Sequence, residues 1–122
     1  MTAAEAGLDA GAFCHLTTTG RVTGRPHTIE IWFARSGSAL YFLSGAGDGA
    51  DWVRNIAGRP QVSVRVGTVE LAGHGRILEA GDEDRLARRL VHERYQPDYA
   101  GDLGEWRDSS LAVAVDIDAA SS

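Results

Sequence analysis

A short stretch near the N-terminus combines several groups that bind anions. It contains two glycines, two arginines and a threonine hydroxyl within six positions: Gly20, Arg21, Thr23, Gly24 and Arg25. Glycine permits backbone conformations closed to other residues and lets the main chain approach a ligand. Exposed N–H groups in such a turn, beside hydroxyls and forked guanidinium groups, form a receptor for phosphate or carboxylate. The stretch therefore predicts an anion-binding turn between two strands.

The overall charge sets the kind of anion that this turn would bind. The chain has 12 basic and 17 acidic residues, which gives a formal net charge of −5. Local basic charge in an acidic protein favours one specific anionic ligand over a general polyanion-binding surface. The same balance argues against nucleic acid as a partner.

Length and cysteine content narrow the class of protein. The 122 residues predict a single domain over 1–122, with its core at about 13–117 and loose termini. The one cysteine, Cys14, excludes an internal disulfide framework and favours the cytoplasm. No stretch is long enough to span a bilayer, and residues 1–12 lack the basic-then-apolar pattern of a signal peptide.

Alternation of apolar and polar residues predicts six strands, at 13–18, 27–35, 39–44, 62–66, 69–78 and 111–117. Turns at Ser36–Ser38 and Gly67–Thr68 would close two hairpins. Two glycines in the fifth strand, Gly73 and Gly75, predict a bulge or sharp bend there. Helical patterns cover 51–57 and 83–95, and 96–110 is predicted to be irregular. Without long βαβ crossovers, these elements indicate a mainly β fold, an antiparallel barrel with accessory helices.

The sequence gives little support for a metal site or for a catalytic nucleophile. His15 and His74 lie in predicted strands without metal-ligand spacing or partner cysteines, so no metal site is predicted. No Ser-His-Asp or Cys-His arrangement stands out, and Cys14 has no obvious base beside it.

Further motifs follow the basic turn in a defined order. They are Trp32-Phe33, the small-residue loop Ser44-Gly45-Ala46-Gly47, and Trp52-Val53-Arg54-Asn55-Ile56 followed by Arg59-Pro60. Together with the Thr-Thr-x-Gly-Arg pattern at the turn, they resemble the deazaflavin-dependent nitroreductase family. The resemblance extends over nearly the whole predicted core.

This resemblance implies a split β-barrel of about six strands, similar to FMN-binding proteins and usually dimeric. It implies the 8-hydroxy-5-deazaflavin coenzyme F420 as cofactor, whose reduced form delivers a hydride to a small-molecule acceptor such as a quinone or nitroaromatic. Arg21, Thr23, Gly24 and Arg25 would hold the phosphate and acidic tail. His27 and Ile29 would border the ring.

The later motifs would complete the site that the resemblance implies. Backbone amides of Ser44, Gly45, Ala46 and Gly47 would approach the deazaflavin, with Trp52 and Asn55 supporting that loop. Tyr99 would face the acceptor, as a catalytic residue that orients an oxygen or relays a proton.

The sequence also departs from the family pattern at several positions. Val22 and His27 stand where the family commonly has lysine and arginine, and Glu30 replaces a common proline. Asp48 and Asp51 add acidic groups near the proposed anion site. Two alternatives therefore stay open: an FMN-binding oxidoreductase, and a non-enzymatic carrier of a lipid, haem or cofactor in the same fold.

The strand pattern also leads us to expect a homodimer. Five apolar side chains can fill the barrel, namely Ile29, Ile31, Phe33, Leu40 and Phe42. Trp32, Tyr41 and Leu43 would then point outward, which is too much apolar area for a free surface.

Overall fold

The computed structural model describes residues 12–118, in which seven strands form one antiparallel sheet. The strands are β1 (Cys14–Thr19), β2 (Pro26–Ile31), β3 (Ala34–Ser36), β4 (Ala39–Ser44), β5 (Gln61–Val66), β6 (Val69–Ile77) and β7 (Leu111–Ile117). The helices are α1 (Asp51–Gly58), α2 (Asp82–Tyr95) and α3 (Gly104–Ser109), with 3-10 turns at Gly47–Gly49 and Gln96–Asp98. The order across the sheet is β2-β1-β5-β6-β7-β4-β3. This architecture confirms the predicted mainly β, split-barrel class.

One predicted strand is in fact two. The sequence predicted a continuous strand over 27–35, but β2 and β3 lie at opposite ends of the sheet order. Only Trp32 and Phe33 separate them, and three Cα–Cα steps reach at most about 11 Å. The two edges of the sheet must therefore come close together, and the sheet curls into a barrel.

The barrel interior holds one apolar cluster. Cys14, Leu16 and Thr18 of β1 are buried while their neighbours are half-exposed, as the alternation predicted. The expected fillers Phe33, Leu40 and Phe42 are fully buried in this cluster, and Ile29 and Ile31 pack against it. Helix α1 contributes Val53 and Ile56 to the same cluster. Within residues 12–118, no helix is long and apolar enough to cross a membrane.

Helix α2 covers the opposite face of β4. Tyr41 and Leu43, which the sequence analysis expected on an outward surface, are only 3% and 4% exposed. They pack against Ala87 and Val91 of α2 in a second apolar cluster. The physical reason given for a dimer was therefore wrong for these two residues, because the chain's own helix provides the cover.

An ion-pair network fastens α2 to three strands. Arg76 of β6 donates from Nη1 and Nη2 to Glu83 Oε1 and Oε2, at 2.9 and 3.0 Å. It also donates from Nε and Nη2 to the carboxylate of Asp116 in β7. The hydroxyl of Tyr41 donates to Glu83 Oε2 at 2.9 Å, and burial together with Glu83 raises the pKa of Tyr41 to about 12. Hydrogen bonds from Arg76 lower the pKa of Glu83.

The bulge predicted at Gly73 and Gly75 is absent from β6. Both residues pair in regular register with β7, opposite Ile117 and Val115. A Cβ at position 75 would lie 2.6 Å from Cγ2 of Ile56, and one at position 73 would lie 2.7 Å from the carbonyl oxygen of Asp116. Both glycines are therefore needed for the close approach of neighbouring atoms, and the sharp bend stays a prediction.

The segment 96–110, predicted to be irregular, contains the 3-10 turn and helix α3. Side-chain contacts to the backbone organise it locally. The amide of Gln96 donates to the carbonyl of Gly101 and accepts the N–H of Leu103, both at 2.7 Å. Asp102 accepts the N–H of Gly104 at the start of α3, also at 2.7 Å. A short polar sequence held by such contacts carries no apolar periodicity, so the pattern analysis missed the helix.

We expect Gly75→Ala to destabilise the protein by about 1–3 kcal/mol, the usual cost of overpacking a core. The added methyl group must displace Ile56 or move α1 away from β6. Chemical denaturation should show the loss as a lower transition midpoint. Gly49→Ala is the matched control, because nothing lies within 4 Å of its Cβ position and its φ is not positive. Equal stability of the two variants would contradict close packing of α1 on β6.

Candidate functional site

A cavity of about 400 Å³ opens beside the turn between β1 and β2. Six of the predicted site residues line it: Arg21, Thr23, His27, Ile29, Trp52 and Asn55. Five further lining residues were not in the predicted set: Thr18, Gly20, Val22, Thr28 and Asp51. The cavity therefore lies at the place where the sequence predicted an anion site.

The turn has the compact geometry expected of its glycines. The N–H of Gly20 donates to the carbonyl of Arg25 at 2.8 Å, and the N–H of Gly24 donates to the carbonyl of Gly20 at 2.9 Å. Gly24 has a φ of +75°, a conformation that favours glycine. The hydroxyl of Thr23 accepts the N–H of Arg25 at 3.3 Å. These contacts fix the backbone that borders the cavity.

A buried amide joins the turn to α1 and β1. Asn55 donates from Nδ2 to the hydroxyl of Thr18 at 3.1 Å. Its Oδ1 accepts the backbone N–H of Arg21 at 3.3 Å and a guanidinium N–H of the same residue at 2.8 Å. With Asn55 only 3% exposed, these bonds hold Arg21 against the cavity wall. Asn55 supports the turn itself, rather than the loop 44–47 that the resemblance implied.

Opposite charges share the rim of this cavity. Nη2 of Arg21 lies 3.6 Å from a carboxylate oxygen of Asp51, whose side chain is 86% exposed. A guanidinium nitrogen of Arg59 lies 3.6 Å from the Cβ position at Gly24, which brings another cation to the turn. An exposed ion pair such as Arg21–Asp51 contributes little, so a bound anion can compete with Asp51 for Arg21.

The remaining predicted site residues lie outside the lining of this cavity. Gly24 and Arg25 belong to the turn itself. In the loop Ser44, Gly45, Ala46 and Gly47, the hydroxyl of Ser44 donates to the carbonyl of Gly47 at 2.9 Å. A Cβ at Gly45 would lie 3.3 Å from Nε1 of Trp106, so this loop packs toward another aromatic group. Their roles as coenzyme contacts stay predictions.

A second cavity, of about 340 Å³, lies beside the first along β2. It is lined by Phe13, Glu30, Ile31, Trp32, Leu43 and Trp106. Trp32 stacks on Tyr95 with ring centroids 4.4 Å apart and an interplanar angle of 5°. It meets the rings of Tyr99 and Trp106 edge-on, at 5.9 and 5.8 Å. Tyr99, 47% exposed, thus touches a wall of this cavity through Trp32.

Sequence reasoning missed this second cavity and the cation at Arg59. The cavity combines residues from β2, β4 and α3 that are far apart in sequence, so no local sequence motif predicts it. Arg59 appeared only as part of the Arg-Pro pair that ends a helix. Gly20 was recognised in the turn, yet the crowding around it, with a Cβ position 3.0 Å from Nε2 of His27, appears only in three dimensions.

Cys14 and the acidic residues offer no competing chemistry. Burial raises the pKa of the Cys14 thiol to about 12, so it stays protonated and is a poor nucleophile at neutral pH. Over residues 12–118, no group of three or more His, Cys, Asp or Glu side chains is placed to hold a metal ion.

Comparison with known families shows the class of protein to which the chain belongs. The model of the family described as F420H(2)-dependent quinone reductase matches residues 5–118. The chain belongs to this family. It is therefore an enzyme, a reductase that uses coenzyme F420. Among the alternatives from the sequence, this favours the enzyme over the non-enzymatic carrier.

Solved structures share the fold of this chain. An F420-H2 dependent reductase, FDR-A, is 22% identical with a TM-score of 0.70, over 85% of this chain and 93% of that one. A domain-swapped dimer matches with the same identity and score, over 85% and 79% of the two chains. An FAD-binding protein from Mesorhizobium loti is 20% identical with a TM-score of 0.66, over 98% and 91%. At these identities the likeness shows the fold.

The residues at the first cavity fit the coenzyme. F420 carries a planar deazaflavin ring, a phosphate and an acidic tail. Arg21 and the hydroxyl of Thr23 provide donors for oxygen anions, and Trp52 with Ile29 provides apolar surface for a ring. A Cβ at Gly20 would lie 3.0 to 3.2 Å from Nε2 of His27, the hydroxyl of Thr23 and the carbonyl of Arg25, so only glycine fits at this point of the turn. The N–H groups of Gly20, Arg21, Gly24 and Arg25 are all bonded within the protein, so the donors that the turn offers to a phosphate in this cavity are the side chains of Arg21 and Thr23.

Proposed function

We propose that this reductase transfers a hydride from reduced F420 to a small organic acceptor of the quinone or nitroaromatic type. The observation that carries the proposal is the cavity at the basic turn, whose lining combines the polar groups of Arg21 and Thr23 with the apolar side chains of Ile29 and Trp52. Polar donors and apolar surface in one cavity suit a ligand with a charged tail and a planar ring.

In this proposal the turn holds the charged part of the coenzyme. Arg21 donates to the phosphate or tail from a guanidinium that Asn55 already orients, so little side-chain entropy is lost on binding. Arg25 and Thr23 complete the anion site, Gly24 gives the turn the shape that it needs, and Arg59 adds a further cation beside the turn. His27 and Ile29, at the start of β2, border the ring.

Bound F420 supplies the hydride chemistry, and the protein supplies position, exclusion of water and charge. Trp52 packs edge-on against Phe42 of the core, at 6.3 Å between ring centroids, and this contact gives the ring site a firm wall. Backbone amides of Ser44, Gly45, Ala46 and Gly47 are proposed to approach the ring. Tyr99 is proposed to donate a hydrogen bond to the acceptor oxygen.

FMN is the alternative ligand for the same turn. Val22 lines the cavity and is 86% exposed, at a position where the resemblance implied a lysine. Fewer fixed cations suit a single phosphate better than a long acidic tail. Titration of the purified protein with F420 and FMN, each followed by its own fluorescence, separates the two. Tighter binding of FMN would overturn the assignment of F420 to this turn.

The cytoplasmic location predicted from the single cysteine stays a prediction. We also propose a homodimer, now on different grounds from those of the sequence analysis. Within residues 12–118, β2 pairs on one side only, with β1, and most of its residues are exposed. An edge strand of this kind needs a cover, and a second copy of the chain can provide it.

Arg21→Ala should weaken F420 binding about ten- to a hundredfold, in line with ~1.5–3 kcal/mol for hydrogen bonds to charged groups. Arg25→Ala should act in the same direction by a smaller factor, because Arg25 lies outside the cavity lining. Fluorescence titration measures both affinities. Arg85→Ala, on the exposed side of α2, is the matched control and should bind F420 like wild type.

Arg21→Ala also removes a partner of the buried Asn55, so its stability must be measured beside its affinity. Arg21→Lys keeps the positive charge but loses the forked guanidinium donors, so it should recover only part of the affinity for F420. Unchanged affinity in both Arg21→Ala and Arg25→Ala would remove the anion site from the proposal.

Tyr99→Phe should lower the rate of acceptor reduction and leave F420 affinity nearly intact. The substitution removes only the hydroxyl and keeps the ring that meets Trp32 edge-on. Steady-state kinetics with a quinone and a nitroaromatic acceptor test this, with the coenzyme titration as internal control. Wild-type rates with both acceptors would leave Tyr99 a packing residue.

The proposed dimer should have a mass near twice the 13.0 kDa of the chain by light scattering at micromolar concentration. Thr28→Lys, at an exposed position of β2, places like charges on the two copies and should shift the mass toward the monomer. A monomer for wild type under these conditions would contradict the proposal.

A further inference from the structure

The second cavity has walls of a distinctive kind. Five of its six lining residues are apolar or aromatic, and two of these are tryptophans, Trp32 and Trp106. Glu30 is the one charged residue in that lining. A cavity with aromatic walls and one carboxylate offers two attractions to a positively charged organic molecule: the negative faces of the rings and the negative side chain.

The tryptophans form a pre-arranged surface. The indole of Trp32 stacks against Tyr95, and its other ring contacts are edge-on, with Tyr99 and Trp106. Tyr95 is itself held, because its hydroxyl accepts the N–H of Phe33 at 3.0 Å. Little conformational entropy is therefore lost when a flat ligand packs against these rings.

Glu30 gives the cavity its charge preference. Its side chain is 68% exposed, and Oε1 lies 3.3 Å from Nε2 of His15 across the β1–β2 pair. The contact to His15 holds the carboxylate beside the cavity without burying it. Glu30 also stands where the family resemblance implied a proline, so this charge is a feature of this chain rather than of the general pattern.

We propose that the second cavity binds a planar organic cation, with its ring stacked on one of the two perpendicular indoles of Trp32 and Trp106, edge-on to the other, and with its positive charge beside Glu30. Binding itself does not depend on the hydride chemistry. The cavity adjoins the first along β2, with Ile29 in one lining and Glu30 in the next. If the proposed function is correct, the acceptors that this enzyme prefers are aromatic rings that carry positive charge.

Three probes of matched shape test the proposal: the cation 1-methylquinolinium, the neutral 1-methylnaphthalene and the anion 1-naphthoate. Calorimetry gives their affinities. The cation should bind about three- to tenfold more tightly than the neutral ring, as for a partly exposed cation site. The anion should bind most weakly. Equal affinities, or tighter binding of the anion, would overturn the proposal.

The three tryptophans of the chain report where a probe binds. Trp32 and Trp106 line the second cavity, and Trp52 lines the first. Indole N–H resonances, assigned with single Trp→Phe variants, should shift for Trp32 and Trp106 when 1-methylquinolinium is added, and stay in place for Trp52. A shift confined to Trp52 would overturn the proposal.

Glu30→Gln should reduce the preference for the cation to the part that the aromatic rings alone provide, and leave the affinity for 1-methylnaphthalene unchanged. The residue is exposed, so the variant is expected to fold. Glu79→Gln is the matched control, because Glu79 is exposed and lines neither cavity, and it should keep the wild-type preference. An undiminished preference in Glu30→Gln would overturn the assignment of the charge to Glu30.

Failure of this inference and failure of the proposed function can be told apart. F420 titration without any binding counts against the proposed function, whereas the probe affinities and the Trp32 and Trp106 shifts do not require the coenzyme. Conversely, F420 can bind and shift Trp52 while the three probes show no charge preference, which would overturn only the cation site.

Discussion

The backbone of Phe33 is the point on which this fold depends. Phe33 lies between β2 and β3, where the chain leaves one edge of the sheet and enters the other, so its N–H and C=O lie outside both strand ladders. A buried backbone group without a partner costs about as much as a lost hydrogen bond. The hydroxyl of Tyr95 accepts the N–H at 3.0 Å, and Arg94 donates to the carbonyl at 3.1 Å. The end of α2 therefore closes the barrel.

The same closure arranges the functional surface. Because Phe33 points into the core, its neighbour Trp32 turns to the other side and stacks on Tyr95. Burial raises the pKa of Tyr95, which keeps its hydroxyl protonated and able to serve the Phe33 backbone at neutral pH. Trp32 then lies between α2 and the second cavity. Ile29, three residues earlier in the chain, borders the first cavity. One strand thus carries residues of both sites, at a spacing set by its rise of about 3.3 Å per residue.

The sequence predicted those features that depend on neighbours in the chain. Alternation located the strands, the glycines located the turn between β1 and β2, and the charged groups of that turn located the first cavity. Features that depend on distant residues were missed. The break at Trp32-Phe33 keeps the apolar pattern of a strand, so only the pairing of β2 and β3 with different neighbours reveals it. The sequence could not show that Gly75 is needed for close packing, because Ile56, which lies against it, is 19 positions earlier.

The charged residues near the two ends of β2 give the two cavities opposite charge preferences. At the start of the strand, Arg21 and Arg59 lie near the turn and favour an anion, whereas Glu30 near its end favours a cation. An anionic coenzyme in the first cavity would add negative charge beside the second, and the two charges would then attract a cation together. The acidic net charge of the chain acts in the same direction over longer distances. Binding of the coenzyme and binding of a cationic ring are therefore expected to favour each other, since the two ligands carry opposite charges.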